Sequence, residues 1–446
     1  MTNPTLIFTP RRDALLAGHD NSLDVLVRVQ VPDAPTVGAV KRSPLHLALV
    51  IDRSGSMSGQ PLEEAKRCAA HVIDGLQPTD CASIVVYDNE VQTLVPALAL
   101  DDRAKFHDAL RGLGSGGSTD LHAGWLRGAE TLAPLTGAGT LSRVILLSDG
   151  CANHGLTDVS AIARQCAELA GAGVSTSTYG LGHHFNEELM VAMARAGGGN
   201  HYYGQTAEDL MDPFREEFAL LNATCARATK LTLTPAAGVR LEVINDYVAA
   251  GDATWSLPDL VHGGEVWAMV RLHIPKSLLP AGHNQMFDSL LTASVRYNDM
   301  TGEPRAIQPA TLALRTLSAA AFGAVAEDEL VTRRASELEA AAIQRKARAA
   351  AQEGDWDTVM ALLARIEKLG ENNEWLRAVL MELRILATQR DRVMFAKEAM
   401  YSSERMSRRV AASEELPCLV ADAGGAAFLR RRAAQGKRDP SGPAGR

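Results

Sequence analysis

No apolar run in this 446-residue chain reaches the roughly 18 residues that a membrane-spanning helix needs. Nor is there a C-x-x-C pair among its six cysteines (Cys68, Cys81, Cys151, Cys166, Cys225 and Cys418). They are scattered, several of them in apolar helix or strand patterns, which reads as reduced, buried thiols rather than as a disulfide framework. The signatures G-x-S-x-G, H-E-x-x-H and G-x-x-x-x-G-K-[ST] are missing, and with them the common hydrolase and nucleotide-binding readings. A surplus of positive charge is missing too: the formal net charge of −8 argues against a general nucleic-acid binder. Met1 to Asp13 has no long apolar core ahead of Arg11 and Arg12. It does not read as a secretory leader, so the expected compartment is the cytoplasm.

What is present is an ordinary globular composition, 46% hydrophobic and 22% charged, with length enough for two or three domains. Leu23, Val25, Val27, Val29 and Val31 alternate with mostly polar neighbours, a strand with one apolar face, before Pro32, Pro35 and Gly38 break the pattern. From Pro44 to about Ala226, near-continuous apolar strands (45–51, 82–87, 91–100, 143–148, 174–181, 201–203) alternate with helical patterns (62–76, 104–113, 121–135, 159–170, 186–196). Such alternation predicts an α/β unit, a parallel-rich central sheet with helices on both faces. After Ala226 period two returns at 239–243, 266–274 and 291–297, punctuated by Pro235, Gly263-Gly264 and Gly302. This predicts a small antiparallel β-sandwich. The lone strand at 23–31 would complete that sandwich, making the α/β unit an insertion within it.

The expected division is therefore 1–43 and 227–318 for the sandwich, 44–226 for the insert, 323–411 for a helical C-terminal region and 412–446 for a disordered tail. In the helical region, helices are expected at 327–352, around Val359 to Ile366, and from near Glu374 past Met394. One helix–turn–helix at Gly354-Asp355-Trp356 is not a repeat array. The tail carries Arg430–Arg432, Lys437 and Arg438, a solvated end in the plain reading and an acidic-lipid or nucleic-acid contact in the other.

The chemistry concentrates at Asp52-Arg53-Ser54-Gly55-Ser56, directly after the apolar run 45–51. A carboxylate and two hydroxyls at alternate positions on a Gly-containing turn are hard oxygen donors, suited to Mg²⁺ or Mn²⁺ better than to zinc or copper. Two later segments supply matching groups: the loop Gly116-Gly117-Ser118-Thr119-Asp120, and Asp149, which ends the apolar strand 143–148. Ligands of such sheets bind beyond the carboxyl ends of strands, where Asp52 and Asp149 fall. Taken alone, the pentapeptide could be a Ser-rich turn capping a helix at Pro61, and Asp120 either a further ligand or the cap of a helix at Leu121. Cys151 is either a reactive thiol or an inert rim residue. His122, His154 and His183-His184 lack further ligands at zinc spacing and read as rim or loop residues.

D-x-S-x-S, then a loop threonine, then a strand-end aspartate, resembles the metal-ion-dependent adhesion site of a von Willebrand factor A (VWA) domain. The resemblance implies that Ser54, Ser56 and Thr119 ligate Mg²⁺ (or Mn²⁺ or Ca²⁺) directly while Asp52 and Asp149 act through water. An open coordination position would then accept a Glu or Asp carboxylate of a protein partner. Ser148–Asp158 and Gly263-Gly264-Glu265 are similar to segments of a bacterial VWA group labelled as Ca-activated chloride channel homologues and related to inter-alpha-trypsin inhibitor heavy chains. The channel label carries no weight for a chain without a membrane span. The resemblance implies a non-enzymatic interaction module, an adaptor in multiprotein assemblies, some built with AAA+ ATPases. Its rivals are a surface or matrix adhesin, which needs an export route, and a metal-dependent hydrolase subunit. The latter lacks a general base once Asp52 and Asp149 serve the metal.

Overall fold

The computed structural model describes residues 3–33, 43–137, 139–149, 152–181, 186–204, 207–371 and 373–408. Pro35, Gly38, Cys151, His183, His184, Cys418, the basic cluster at 430–438 and the whole span 412–446 lie outside them.

The chain opens with β1 (Thr5–Pro10), β2 (Leu15–Leu16) and β3 (Asn21–Gln30). The alternation seen in the sequence gives β3 two faces. Leu23, Val25, Val27 and Val29 enter the sandwich core, while Leu26 packs behind it with Trp267, Met269, Val331 and Leu338.

Next come β4 (Leu45–Asp52), α1 (Gln60–Gly75), β5 (Cys81–Tyr87), β6 (Val91–Ala99), α2 (Arg103–Arg111) and α3 (Leu121–Leu132). They are followed by β7 (Leu141–Ser148), α4 (Val159–Gly171), β8 (Val174–Leu181), α5 (Glu187–Ala196), β9 (Gly198–Gly204) and α6 (Ala207–Ala223). The strand order is β6-β5-β4-β7-β8-β9. β4 pairs in parallel with β5 and β7, β7 with β8 and β8 with β9, whereas β6 runs antiparallel to β5. Leu62 and Val72 of α1, Phe106 of α2 and Phe214 of α6 cover one face of the sheet. Trp125 of α3, Ile162 of α4 and Leu189 of α5 cover the other. Strand order reverses between β4 and β7, the crevice where a doubly wound sheet binds its ligand.

The rest of the sandwich is β10 (Thr224–Pro235), β11 (Arg240–Val243), β12 (Val248–Gly251), β13 (Thr254–Ser256), β14 (Leu260–Val261), β15 (Glu265–Ile274), β16 (Met286–Asp299) and β17 (Pro304–Leu317). One sheet runs β1-β3-β15-β11 and the other β12-β13-β10-β16-β17-β2, with β14 beside β10. β3 pairs with β15 along its whole length, from Asn21 opposite Ile274 to Gln30 opposite Glu265. The α/β unit is thus inserted between two partnered strands. Its entry and exit meet at the start of β7: Pro44 O accepts from Leu141 N–H at 3.0 Å, and Arg227 Nη1 donates to Thr140 O at 2.6 Å.

The helical region holds α7 (Ala319–Gly323), α8 (Glu329–Glu353), α9 (Trp356–Leu369), α10 (Glu374–Gln389) and α11 (Arg392–Arg408). The expected single helix from Glu374 past Met394 is two. Arg390 turns left-handed at φ 54, and Asp391 accepts from Met394 N–H at 3.0 Å to start α11. β1, β2, α6, β10, β12, β13, β14, β17 and α7 have no counterpart among the elements expected from the sequence. α11 touches the other two parts: Tyr401 packs on Tyr203 of β9, Glu404 pairs with Arg195 of α5, and Ser407 O accepts from Asn245 Nδ2 at 2.8 Å. None of the described helices is long and apolar enough to cross a membrane.

Candidate metal-ion site

β4 delivers Asp52 to the end of the sheet fully buried. Its Oδ1 accepts from Ser54 N–H at 2.8 Å and its Oδ2 from Ser148 Oγ at 2.6 Å. The first bond turns the chain sharply, and Gly55–Met57 continue as a single 3₁₀ turn. Ser54 Oγ and Ser56 Oγ then converge to 3.1 Å. Neither serine caps α1, which begins at Gln60 behind Gly59 without a side-chain cap. The alternative role for the pentapeptide is therefore not the one it plays.

The Thr119 loop is laced to this turn. Gly55 N–H donates to Gly117 O at 3.0 Å and Gly116 N–H to Arg53 O at 2.8 Å. Gly117 has φ +70, and a Cβ there would lie 2.1 Å from Asn89 Oδ1, so only glycine fits this approach. Arg53 Nε lies 3.1 Å from Asp88 Oδ2, and Asp88 O accepts from Asp120 N–H at 2.8 Å. The β5–β6 turn is thus the brace between the first two loops. Thr119 ends up buried. Asp120 accepts from Ala123 N–H at 3.0 Å, so of its two candidate roles the structure shows the helix cap.

Asp149 follows the last residue of β7 and is almost fully buried, next to the Ser148 that holds Asp52. Beyond it the chain returns to the second loop. Thr119 N–H donates to Asn153 Oδ1 at 2.9 Å, and Thr119 O accepts from the N–H groups of Asn153 and His154 at 3.2 and 3.1 Å. His122 is tied to Gln165 of α4 at 2.7 Å, and His154 Nδ1 stands 3.4 Å from Asp120 Oδ2.

Burial pushes the Asp52 carboxyl up to about 6, although hydrogen bonds from Ser148 and Ser54 favour its ionised form; the charge of Asp149 nearby adds to the rise. Tyr87, fully buried on β5, is raised well above its ordinary range by burial and by Asp52. Two interacting carboxylates, Asp52 and Asp149, are thus buried near the paired hydroxyls of Ser54 and Ser56. Among the described residues no group of three or more His, Cys, Asp or Glu side chains is placed to hold a metal. The candidate donors, two carboxylates and three hydroxyls, are of a kind that fits a hard divalent cation rather than zinc. Sequence reasoning did not single out Ser148, Arg53, Asp88 or Asn153. Only the position of Ser148 beside a strand-end aspartate was a usable signal.

An inserted doubly wound sheet with this cluster at its switch point defines a class, and residues 46–216 match the family model of the von Willebrand factor type A domain. That segment, and with it the α/β unit, is a VWA domain. The uncharacterized protein sll0103 of Synechocystis sp. is 27% identical over 221 residues, covering 49% of this chain and 51% of that one. YfbK of Escherichia coli is 28% identical over 187 residues (42% and 32%). Inter-alpha-trypsin inhibitor heavy chain H1 of Mesocricetus auratus is 29% identical over 163 residues (34% and 18%). The chain spans about half or less of these relatives' length. Among solved structures, the von Willebrand factor type A protein from Catenulispora acidiphila superposes with TM-score 0.67 at 17% identity, over 84% of this chain and 90% of that one. The ArnB paralog VWA2 from Sulfolobus acidocaldarius gives 0.60 at 19%, over 91% and 99%. At these identities the likeness is one of fold, and it extends well beyond the VWA domain.

Proposed function

We propose that this protein is a metal-dependent protein-interaction module, an adaptor rather than an enzyme. The observation that carries this reading is the convergence of Ser54 Oγ and Ser56 Oγ to 3.1 Å beside the buried carboxylate of Asp52. Mg²⁺ or Mn²⁺, with Ca²⁺ as a weaker candidate, would be held by Ser54, Ser56 and Thr119, with Asp52 and Asp149 supplying the compensating charge. The cation would supply one thing, an electropositive position open to a carboxylate. The protein's own residues do the rest. Ser148 orients Asp52, and the Arg53–Asp88 pair holds the first turn against the Thr119 loop. The partner is a protein presenting a Glu or Asp side chain, in an assembly such as one built around an AAA+ ATPase. We place it in the cytoplasm, a reading supported by the free cysteines Cys68, Cys81, Cys166 and Cys225.

Titration calorimetry with Mg²⁺ and Mn²⁺ tests the site: wild type should bind at millimolar metal or below, and Asp52→Ala should not. No binding by wild type overturns the reading. A pull-down with and without EDTA then tests recognition, since a partner held through the metal is lost on chelation. Equal capture in both conditions would move the contact away from the site.

A further inference from the structure

Thr119 is positioned from a different loop than its own. Its N–H donates to Asn153 Oδ1 at 2.9 Å, while its carbonyl accepts from the N–H groups of Asn153 and His154 at 3.2 and 3.1 Å. All three bonds come from the segment that follows Asp149. Just beyond, Gly155 at φ +68 runs so close to Asp120 that a Cβ would lie 2.4 Å from its carboxylate. The Asp120 carboxylate thus packs directly on the Gly155 backbone, where a side chain would displace it. Thr119 is buried, but Asn153 is exposed. An exposed asparagine whose side chain and main chain both serve one buried threonine does little packing of its own.

We infer that Asn153 is a positioning residue of the cation site. Its side-chain oxygen fixes the peptide of Thr119, and with it the direction of the threonine hydroxyl, and so ties that hydroxyl to the strand end bearing Asp149. The inference rests on the metal-site reading above. Groups that orient a metal's ligands from outside change its affinity roughly 10–100-fold when removed. Backbone bonds from Asn153 and His154 survive substitution of the side chain, so the threonine loop stays docked and only its fine orientation is lost.

The test uses the full chain with Asn153→Ala and with Asn153→Asp, which keeps an oxygen at the acceptor position. Mg²⁺ affinity is read by calorimetry, and exchange of the Thr119 amide proton is read by NMR in EDTA. Asn153→Ala should bind Mg²⁺ about tenfold more weakly and exchange the Thr119 amide faster, with its melting temperature in EDTA close to wild type. Asn153→Asp should keep slow exchange and bind no more weakly than wild type. Wild-type affinity in Asn153→Ala overturns the inference, as does an equal loss in both variants, which would show that the oxygen is not the agent. If wild type itself binds neither Mg²⁺ nor Mn²⁺, the metal reading falls and takes this inference with it. If wild type binds and Asn153→Ala matches it, the inference alone falls.

Discussion

Ser148 Oγ donates a 2.6 Å hydrogen bond to Asp52 Oδ2, joining the ends of the two strands between which the sheet order reverses. The bond favours the ionised carboxylate, and burial still wins, leaving Asp52 at about 6 against an ordinary 3.8. The sign follows from the raised value. In metal-free protein this group's contribution to stability is complete below about pH 4 and is lost as pH rises through about 6. A cation acts in the opposite sense, binding the carboxylate and releasing the proton. Mg²⁺ affinity should therefore fall as pH drops through about 6. Calorimetry at about pH 7.5 and about pH 5 would show it, and equal affinities would remove Asp52 from the metal's surroundings.

Ser148→Ala deletes the bond and should push Asp52 higher still. The midpoint of the pH dependence of Mg²⁺ binding should move up, while the fold is retained because the serine contributes one short side chain. A midpoint that stays put would mean that Ser148 does not govern Asp52.

Asp52→Asn replaces a costly buried charge with a neutral amide of the same shape. At pH 7 in EDTA it should be more stable than wild type, by at most about 3 kcal/mol, the size of the shift at Asp52. Mg²⁺ should no longer raise its melting temperature, because a ligand stabilises only the state it binds. Loss of stability in EDTA would contradict the electrostatic account.

Glu217 of α6 is fully buried, bonded to Arg143, Ser177, Asn200 and Tyr202. Burial opposes its charge, but the Arg143 guanidinium and the hydrogen bonds outweigh burial and hold the carboxyl below its usual range. Glu217→Ala leaves the buried Arg143 with only Ser175 and the more distant Asp259 carboxylate, 3.8 Å away, and should cost about 3 kcal/mol in urea unfolding. Adding Arg143→Met to Glu217→Leu should recover part of that loss, since an apolar pair of similar volume can replace a buried ion pair. A double variant no better than Glu217→Ala would point to Ser177 and Asn200 as the groups that matter.

Removing residues 1–31 takes β1 and β3 from the edge of β15. The truncated protein should melt earlier and scatter light as it associates through the bared strand. Unchanged melting in a monodisperse sample would contradict the pairing.

The insert was legible because its strands are continuous apolar runs and its site residues sit at their ends, as at Asp52 and Asp149. α6 was not. Its buried positions Leu210, Phe214 and Leu221 have helical spacing, but Pro213, a helix breaker by sequence, lies inside the helix and Glu217 occupies a core position. That glutamate is tolerated because Arg143 arrives from β7, 74 residues away, with Ser177, Asn200 and Tyr202 completing its bonds. β17 was hidden by Pro309 and by register shifts against β16 that break its alternation. The split between α10 and α11 has no glycine or proline to announce it; Asp391 was the only cue. At the site, the donors were visible as a motif, whereas the braces, Arg53 on Asp88 and Asn153 on Thr119, join loops distant in sequence. No local pattern encodes such contacts.

The meeting of Pro44 and Arg227 at the start of β7 has a consequence for the order in which the molecule is made. β3 leaves the ribosome long before its partner β15, by tens of seconds at ordinary rates of synthesis. Left as a flexible chain, the intervening stretch would make their encounter a long-range search. Once the insert has folded, its two ends lie side by side, and that stretch acts as a short clip. The late strand is then delivered to the early one, and the interval during which β3 offers an unpaired edge to other nascent chains closes soon after Ile274 emerges.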